Sequence, residues 1–362
     1  MKTCTRCIMN DSADPTITFD ENGYCNYCTD ALKKINTTAY FPNEEGEKRL
    51  HALLEQVKKS GEGKPYDCIM GISGGLDSAY LAYLGYTWGL RILAVHVDDG
   101  YDTDVSKENV RKLVEKTGIK MITVTPDAEQ YNALLLAYMR AGVPNLAVPQ
   151  DNILLKCLFD AVKEYKIPYF LSGDNFALEC VLQRGNTYQS MDVVNIRDIH
   201  KRFGTQPINK LKFISAYEKY YSTRVAGMHL EKPLNYIDYN RERAFRELKE
   251  FCGFEYYGRK HLENKFTAFL QLRWLPEKFG VDKRLSHLSS MIVSGQMTRE
   301  EALAEAARPI CEGVPMDEYV AEIKANMHLS DAEFEEIMRA PTHQHTEYKT
   351  DRLDAALRSV LH

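Results

Sequence analysis

Between residues 66 and 172, apolar runs alternate with longer segments of helical spacing. The four runs are YDCIMGI, RILAVHV, KMITVT and IPYFLS, and their length and apolar character predict buried strands. Strands that alternate with helices are typical of a parallel sheet covered on both faces. The pattern therefore predicts a doubly wound α/β domain, which we place at residues 65–200.

The pattern changes on both sides of this domain. A charged segment with leucines along one face, EEGEKRLHALLEQVKKSG, predicts a helical connector within residues 39–64. After about residue 200 the alternation is lost, and we expect a substrate-binding region at 201–281. Helical patterns return over 282–362, where Thr298 and Ser330 each precede a glutamate at the spacing of a capping box.

Four of the nine cysteines lie in two CxxC pairs near the start of the chain, Cys4 with Cys7 and Cys25 with Cys28. The segment 1–38 has few large apolar residues, so it needs another source of stability. Each CxxC turn lets two sulfurs converge on one ion, and four thiolates form a closed tetrahedral site without a position for water. The spacing predicts a zinc ribbon with a structural Zn²⁺. Two unrelated pairs or a redox dithiol are the alternative.

The composition is that of an ordinary globular protein. The 362 residues are 44% hydrophobic and 27% charged, with a net charge of -5 and a pI near 6.1. An acidic balance disfavours long polyanionic partners, so no nucleic acid is expected. No apolar run is long enough to span a membrane, and MKTCTRCIMN lacks the apolar core of a signal peptide. We therefore expect no membrane span and a cytoplasmic location.

The first apolar run leads through SGGLDS into a predicted helix. Backbone N–H groups at a helix start favour an anion, and Gly74 and Gly75 let the main chain approach it closely. Ser73 and Ser78 add hydroxyl donors, while Asp77 could accept from the loop or help to hold a magnesium ion. The lysine of a Walker loop is missing. A loop that binds a diphosphate mainly through amides and hydroxyls leaves the α-phosphate of a nucleotide open to attack.

Polar residues follow two other apolar runs. Asp98 and Asp99 come after RILAVHV, and Gly173, Asp174 and Asn175 come after IPYFLS. The carboxyl ends of parallel strands meet at one edge of a sheet, where ligands bind at the switch point. We expect both endings to face the same crevice as SGGLDS. Helix capping is the alternative, above all for Asp99 and Asn175.

The stretch SGGLDS after an apolar strand resembles the pyrophosphate loop (PP-loop) of the ATP pyrophosphatases, which include asparagine, GMP and NAD synthetases and the tRNA thiolases. The resemblance implies a Rossmann-like fold, ATP and Mg²⁺ as cofactors, and activation of a carbonyl as its adenylate. It places Asp98 near the adenosine, with Gly173 and Asn175 also binding the nucleotide. It assigns catalysis to Asp77 and Asp174, the latter as a magnesium ligand.

The CxxC head, HVDDGYDT, GVPNLAVPQDN, GRKHLENKFTAFLQ and FGVDKRLSHLSSMIVSGQMTREEAL together resemble the N-acetyl sugar amidotransferases of surface-polysaccharide and flagellin-glycan synthesis. That family implies conversion of an acetamido group of a sugar to an acetamidino group with ATP and ammonia. The ammonia is implied to come from a separate class I glutaminase subunit, and no cysteine of this chain lies in a nucleophile elbow. Arg184 and Lys260 are the candidate residues for binding the sugar substrate.

Two other functions are compatible with the sequence. A tRNA thiolase would need Cys157 or Cys180 to hold sulfur or an iron–sulfur cluster. Cys157 lies among apolar residues at helical spacing, where inert thiols are common. A non-catalytic nucleotide sensor would also keep an intact SGGLDS loop.

Overall fold

The computed structural model describes residues 1–12 and 14–351. Its centre is a five-stranded sheet in which all four strand pairings are parallel and the strand order is β3-β2-β1-β4-β5. The strands are β1 Cys68–Gly71, β2 Ile92–Val97, β3 Lys120–Val124, β4 Tyr169–Leu171 and β5 His229–Glu231. The doubly wound parallel sheet predicted from the sequence is confirmed.

Helices make up most of the remaining described chain. The α-helices are α1 Asn26–Lys34, α2 Glu44–Ser60, α3 Leu76–Thr87, α4 Asp104–Thr117, α5 Ala128–Ala141, α6 Val148–Tyr165, α7 Phe176–Glu179, α8 Val193–Phe203, α9 Ala216–Arg224, α10 Arg241–Cys252, α11 Lys265–Phe269, α12 Leu275–Phe279, α13 Arg284–Val293, α14 Arg299–Ala306, α15 Met316–Asn326 and α16 Asp331–Arg339. Short 3₁₀ turns lie at Pro233–Tyr236 and His345–Glu347.

The three central strands of the sheet, β1, β2 and β4, are buried on both faces, as their apolar residues require. Along β1, Cys68 and Met70 belong to a cluster with α3, whereas Ile69 between them belongs to a cluster with α6. This alternation is the period-2 geometry of a strand. Because β1 lies at the centre, between β2 and β4, the chain reverses its winding direction there. The carboxyl end of β1 is therefore the switch point of the sheet.

The strand β5 is not among the strands predicted from the sequence, which recognised four. It is only three residues long, and its His229 and Glu231 are polar. It forms because His229 to Glu231 pair with Tyr169 to Leu171 of β4. A strand this short has no periodic signal of its own.

The helices α11, α12, α15 and α16 build a second core together with α5. Trp274 is fully buried there, and its Nε1 donates to the backbone oxygen of Val143 over 3.0 Å. Between α11 and α12 the helix takes a π turn at Leu270–Trp274. The capping boxes at Thr298 and Ser330 are confirmed. Of the predicted helical region 282–362, residues 352–362 lie outside the described residues.

Asn152 of α6 joins this helix to the segment that leads toward β5. It is fully buried, its Nδ2 donates to the oxygens of Ser190 and Ile214 over 2.7 and 2.8 Å, and its Oδ1 accepts from the N–H of Ile214 over 3.0 Å. Asn152→Ala leaves these backbone groups buried without partners. We expect the free energy of unfolding in urea to fall by about 2–4 kcal/mol. The same change at the exposed Asn22 should alter it by less than about 0.5 kcal/mol.

Candidate functional site

A cavity of about 670 Å³ opens at the carboxyl ends of β1, β2 and β4. The loop Ser73–Ser78 forms one wall, and residues that follow β2 and β4 form the neighbouring walls. The segment 257–287 closes the cavity from the side of the second core. The sheet and the C-terminal helices thus share a single cavity at the switch point, and its volume is in the range of small-molecule sites.

The loop Ser73–Ser78 presents backbone donors to this cavity. Gly75 is the N-cap of α3 and has no side chain, so the N–H groups of Asp77 and Ser78 have no capping partner among the described residues. Ser73 Oγ accepts from the N–H of Gly75 over 3.2 Å and lies 3.2 Å from Ser78 Oγ, which fixes the loop. The start of α3 therefore has the geometry and the helix-dipole charge that suit an anion.

Two glycines are required by close contacts around this loop. Gly74 has φ +79°, and a Cβ there would lie 2.6 Å from the backbone oxygen of Ser106. A Cβ on Gly173, after β4, would lie 3.0 Å from the nitrogen of Ser78. Only backbone without a Cβ allows the ending of β4 to approach the start of α3 this closely.

Asp77 is tied to residues from distant parts of the chain. One carboxylate oxygen accepts a hydrogen bond from the Tyr239 hydroxyl, and the other pairs with the Lys260 ammonium. The same ammonium lies 3.0 Å from Oε1 of Glu179. Burial favours the neutral form of Asp77, but the Lys260 charge outweighs it and holds the pKa of Asp77 below its usual value. Asp77 is thus ionised, and its two oxygens are engaged by protein groups.

A basic wall faces the loop across the cavity. Lys283 lines the cavity and makes no ion pair within the described part of the chain. Burial lowers the pKa of Lys283. His261 and His287 stand beside it with ring centroids 5.5 Å apart. Burial and the neighbouring Lys260 lower the pKa of His261 to about 3, and burial and His261 bring the pKa of His287 well below its usual value. Both imidazoles are unprotonated at neutral pH.

Three carboxyl groups complete the polar lining. Asp174 is half exposed and pairs with Lys232 over 3.2 Å. Asp151 faces the open cavity, and the surrounding protein together with the Asp174 charge raises its pKa to about 7. Glu263 adjoins Gly75, and its Oε2 is buried without a hydrogen-bond partner in the described structure. Asp151 and Asp174 offer the carboxylate oxygens that Mg²⁺ prefers.

Of the two aspartates after β2, Asp99 lines the cavity and Asp98 does not. Asp99 Oδ2 accepts from Gln150 Nε2 over 2.7 Å and from the Tyr131 hydroxyl over 3.1 Å. The expectation that Asp98 would face the adenosine is therefore not met by its position. Its Oδ1 instead accepts from the N–H of Gly100 over 3.1 Å, because the chain turns sharply there.

Two further predicted site residues lie elsewhere. Asn175 is the N-cap of α7, where its Oδ1 accepts from the N–H of Leu178 over 2.9 Å, as the capping alternative predicted. Arg184 lies against the N-terminal segment, 3.5 Å from Asp30 and above the ring of Tyr27. Neither residue lines the cavity. The cavity-lining residues among the predictions are Ser73, Gly75, Asp77, Ser78, Gly173, Asp174 and Lys260.

Several polar residues of the site were not predicted: Asp151, Glu179, Tyr239, Glu263, Lys283 and His287. Most of them are brought to the loop by the fold from more than 70 residues away along the chain. Lys283 and His287 do lie within FGVDKRLSHLSS, one of the phrases that carry the family resemblance. The family resemblance of that phrase was the sequence signal that could have identified the residues of the basic wall.

The four N-terminal cysteines form a buried cluster in which all sulfurs lie within 4.8 Å of one another. Cys4 and Cys28 sulfurs are 3.7 Å apart, and Cys7 and Cys25 sulfurs are 3.5 Å apart. Four thiolates around one zinc ion, with Zn–S bonds of about 2.3 Å, place sulfurs roughly 3.8 Å apart. The N–H of Cys25 also donates to Cys4 Sγ over 3.2 Å. The cluster fits a tetrahedral metal ion.

The cysteine cluster is packed on the helices behind the cavity. Arg299 of α14 donates to the backbone oxygens of Cys4 and Cys7, both over 3.1 Å. The N–H of Ile8 donates to Ser289 Oγ of α13 over 3.3 Å. Since α13 also carries His287, it separates the cluster from the cavity.

None of the nine cysteines, all of which lie in the described residues, lines the cavity. Cys180 is half-buried beside α13, and burial raises the pKa of its thiol to about 12. Burial also raises the pKa of Cys157 to about 11. Both thiols are protonated at neutral pH and are weak nucleophiles.

We expect the purified protein to bind one equivalent of zinc, measured by metal analysis after gel filtration. Cys25→Ser should reduce the zinc content to below about 0.2 equivalents and lower the melting temperature, because metal binding and folding of this segment are coupled. Cys311→Ser, outside the cluster, should keep the full zinc content. A wild-type protein that contains no zinc, and whose melting temperature equals that of Cys25→Ser, would contradict the zinc site.

Burial raises the pKa of Glu263 from 4.5 to about 7. The folded protein therefore holds this proton more tightly than the unfolded chain, and Glu263 destabilises the fold increasingly as pH rises from about 4.5 to 7. Glu263→Gln should raise the free energy of unfolding by on the order of 1–2 kcal/mol at pH 8, with little effect at pH 4.5. Glu164→Gln, at an exposed position, should show no such pH dependence in urea titrations.

No helix within residues 1–12 and 14–351 has the length and apolar character needed to cross a membrane. A comparison with curated proteins finds no match. Among solved structures, the chain is similar to NMN synthetase from Francisella tularensis, with 13% identity, a TM-score of 0.37 and coverage of 79% of this chain and 97% of that one. It is also similar to the NH₃-dependent NAD synthetase from Campylobacter jejuni, with 15% identity, a TM-score of 0.31 and coverage of 70% and 97%.

A family model gives a more specific match. Residues 263–360 match the C-terminal domain described as "LPS biosynthesis protein WbpG-like". This segment begins at Glu263 and includes the π turn, Lys283 and His287. The C-terminal region of the chain is therefore similar to the WbpG-like lipopolysaccharide biosynthesis proteins.

Proposed function

We propose that this chain is an ATP-dependent, AMP-forming amidotransferase that converts an acetamido group of an N-acetylated sugar to an acetamidino group. The observation that carries the proposal is the start of α3, where the uncapped N–H groups of Asp77 and Ser78 lie at the cavity opposite a basic wall. The WbpG-like C-terminal region supports a role in lipopolysaccharide or flagellin-glycan synthesis. The proposed substrates, ATP and an N-acetylated sugar, suit a cytoplasmic enzyme. No helix among the described residues could span a membrane.

In the proposed complex, the β- and γ-phosphates of ATP lie at the start of α3. The N–H groups of Asp77 and Ser78 and the ammonium of Lys283 are the donors that suit them. Asp151 and Asp174 would hold Mg²⁺, which neutralises phosphate charge when bound. Asp77 positions Lys260 beside the same phosphates. These groups leave the α-phosphorus facing the remaining cavity.

The reaction needs a carbonyl oxygen to become a leaving group. The amide oxygen of the acetamido group attacks the α-phosphorus, and the bond to the bridging oxygen breaks with release of pyrophosphate. The nitrogen of ammonia then adds to the activated carbon, and the C–O bond breaks so that AMP leaves with the electron pair. The protein contributes positioning and electrostatic stabilisation.

Neutral polar side chains line the cavity away from the loop and suit a sugar. Asn145, Thr187 and Gln271 belong to this part of the lining, together with apolar Leu154 and Leu275. Amide and hydroxyl groups match sugar hydroxyls and acetamido groups, and the apolar residues match the faces of the ring. We propose that ammonia is supplied by a separate class I glutaminase subunit.

The alternatives are less well supported. A thiolase needs a reactive sulfur at the activated atom, but the described cavity has no cysteine, and the thiols of Cys157 and Cys180 are held protonated. A nucleotide sensor would use the same phosphate site without turnover. Product analysis separates these functions from the amidotransferase.

The test is to incubate the protein with ATP, Mg²⁺, an ammonium salt and a panel of diacetamido sugars, free and as nucleotide derivatives. We expect AMP, pyrophosphate and a sugar that is about one mass unit lighter and more basic, because oxygen is replaced by NH. Formation of ADP, or nucleotide binding without turnover on any sugar, would contradict the proposal. Transfer of sulfur to tRNA in a parallel assay would favour the thiolase.

The same assay tests the phosphate site with a matched pair of glycine variants. Gly74→Ala places a Cβ 2.6 Å from the Ser106 oxygen and should distort the loop, raising the KM for ATP at least about tenfold. Gly63→Ala is the control, because Gly63 has a similar φ of +74° with no atom within 4 Å of the new Cβ. It should carry the same backbone strain and leave the KM for ATP within about twofold of wild type.

A further inference from the structure

Residues 341–351, which follow α16, form a strap that lies against α5 and α8. The N–H of His343 donates to the backbone oxygen of Gly142 over 2.9 Å, and the Tyr348 hydroxyl donates to the oxygen of Ala141 over 2.7 Å. Both acceptors lie at the C-terminal end of α5, where the last carbonyls of a helix have no partner within it. The strap supplies those partners.

Two buried polar side chains at the start of α8 hold the strap at its other end. Asn195 donates through Nδ2 to the backbone oxygens of His345 and Lys349 over 2.9 and 3.1 Å. Asp192, the N-cap of α8, accepts from the N–H of Asp351 over 3.0 Å. Asn195 and Asp192 are both fully buried. Because buried polar groups are costly to leave unpaired, these contacts give the strap one defined position.

His345 carries the contact from the strap to Tyr188. The imidazole is buried and lies parallel to the Tyr188 ring, with centroids 4.4 Å apart and an interplanar angle of 7°. Its Nδ1 lies 3.2 Å from Asn195 Oδ1, and since Asn195 Nδ2 faces two carbonyls, Oδ1 is the acceptor and Nδ1 carries the proton. Burial lowers the pKa of His345 to about 3, so the ring is neutral at neutral pH.

Tyr188 links the strap to the cavity. Its hydroxyl donates to Oδ2 of Asp192 over 2.7 Å, on the side of the strap. Its backbone oxygen accepts from Asn145 Nδ2 over 3.0 Å, on the side of the cavity. Asn145 lines the cavity, as does Thr187, the residue before Tyr188. The stack on His345 therefore fixes a segment whose neighbours face the substrate.

Asn145 joins the two chain segments that form this side of the cavity. Its Nδ2 donates to the oxygen of Tyr188, and its Oδ1 accepts from the N–H of Ala147 over 3.2 Å. Both polar atoms are thus engaged, and the amide has one orientation. The cavity residues carried by the two segments, which together form the sugar wall, are Pro144, Asn145, Ala147, Asn186 and Thr187.

We propose that His345 is a positioning residue for the sugar: through its stack on Tyr188 it holds the sugar wall in the shape that binds the acetamido substrate. The inference rests on the proposed function, in which the sugar occupies the cavity away from the loop Ser73–Ser78. His345 does not line the cavity, so it acts through Tyr188 and not by touching the substrate. A wall that is ordered before binding lowers the entropic cost of binding.

The first test is His345→Ala, which removes the stack. With ATP saturating, the KM for the diacetamido sugar that wild type turns over should rise at least about tenfold, whereas the KM for ATP should stay within about twofold of wild type. A merely structural effect would reduce the amount of folded enzyme, and so lower kcat without changing either KM. His345→Phe keeps a flat ring against Tyr188 and should return the KM for the sugar to within about threefold of wild type.

His343→Ala is the matched control. His343 lies on the same strap, but its side chain is half-exposed and its ring pairs with Glu347 of the strap itself over 2.8 Å. This variant should leave both KM values within about twofold of wild type. Thermal unfolding should show that every variant is folded at the assay temperature.

Tyr188→Leu tests the other half of the stack and leaves the strap residues intact. It should raise the KM for the sugar by about the same factor as His345→Ala. The double variant should lie within about twofold of the more affected single variant, because both changes remove the same contact.

Hydrogen exchange tests the contact without turnover. In His345→Ala, peptides that cover residues 143–147 and 186–190 should exchange at least about tenfold faster than in wild type, and residues 73–78 should not change. Unchanged exchange in both segments, an unchanged KM for the sugar, or equal rises in both KM values in His345→Ala and Tyr188→Leu would overturn the proposal. A wild-type protein that turns over no sugar, while His345→Ala still shows the faster exchange, would contradict the proposed function and not the positioning of this wall.

Discussion

The site depends on the placement of one ammonium group, that of Lys260, between the carboxylates of Asp77 and Glu179. These charges are largely removed from water, and a buried charge is tolerated only when it is paired. The pairing therefore fixes the relative positions of the start of α3, the end of α7 and the loop before α11. Loss of one partner would leave the others uncompensated, at a cost of about 3–5 kcal/mol. The same contact orders the loop Ser73–Ser78 and the segment that carries Lys260.

This arrangement explains how a loop without its own lysine acquires cations. In a Walker loop the lysine is part of the local motif, whereas here Lys260 and Lys283 are delivered by the C-terminal region. The loop Ser73–Ser78 and the segment 260–287 consequently line one cavity. Because Lys260 is held by carboxylates while Lys283 makes no ion pair among the described residues, the two lysines are not equivalent. Lys260 orders the site, and Lys283 remains available to the proposed phosphate group.

Local patterns in the sequence predicted the central sheet, the cysteine cluster and the capping boxes, because each depends on neighbouring residues. The strand β5 escaped prediction since its pairing comes entirely from β4. Asp98 and Asp99 follow the same strand, and contacts with Gln150, Tyr131 and Asn264 turn Asp99 toward the cavity, which spacing alone could not indicate. Lys260 was identified as a candidate, but its partners at Asp77 and Glu179 could not be inferred from spacing.

The π turn at Leu270–Trp274 has a consequence for how the C-terminal region tolerates change in length. A π turn contains one residue more than the α-helical turn it replaces. Regular α-helical winding with the same number of residues would rotate everything that follows by about 100°. Trp274 would then leave the Val143 oxygen, and Leu275 would turn away from the cavity. The π turn therefore absorbs one residue of extra length while the residues after it keep their places in the second core and the cavity wall.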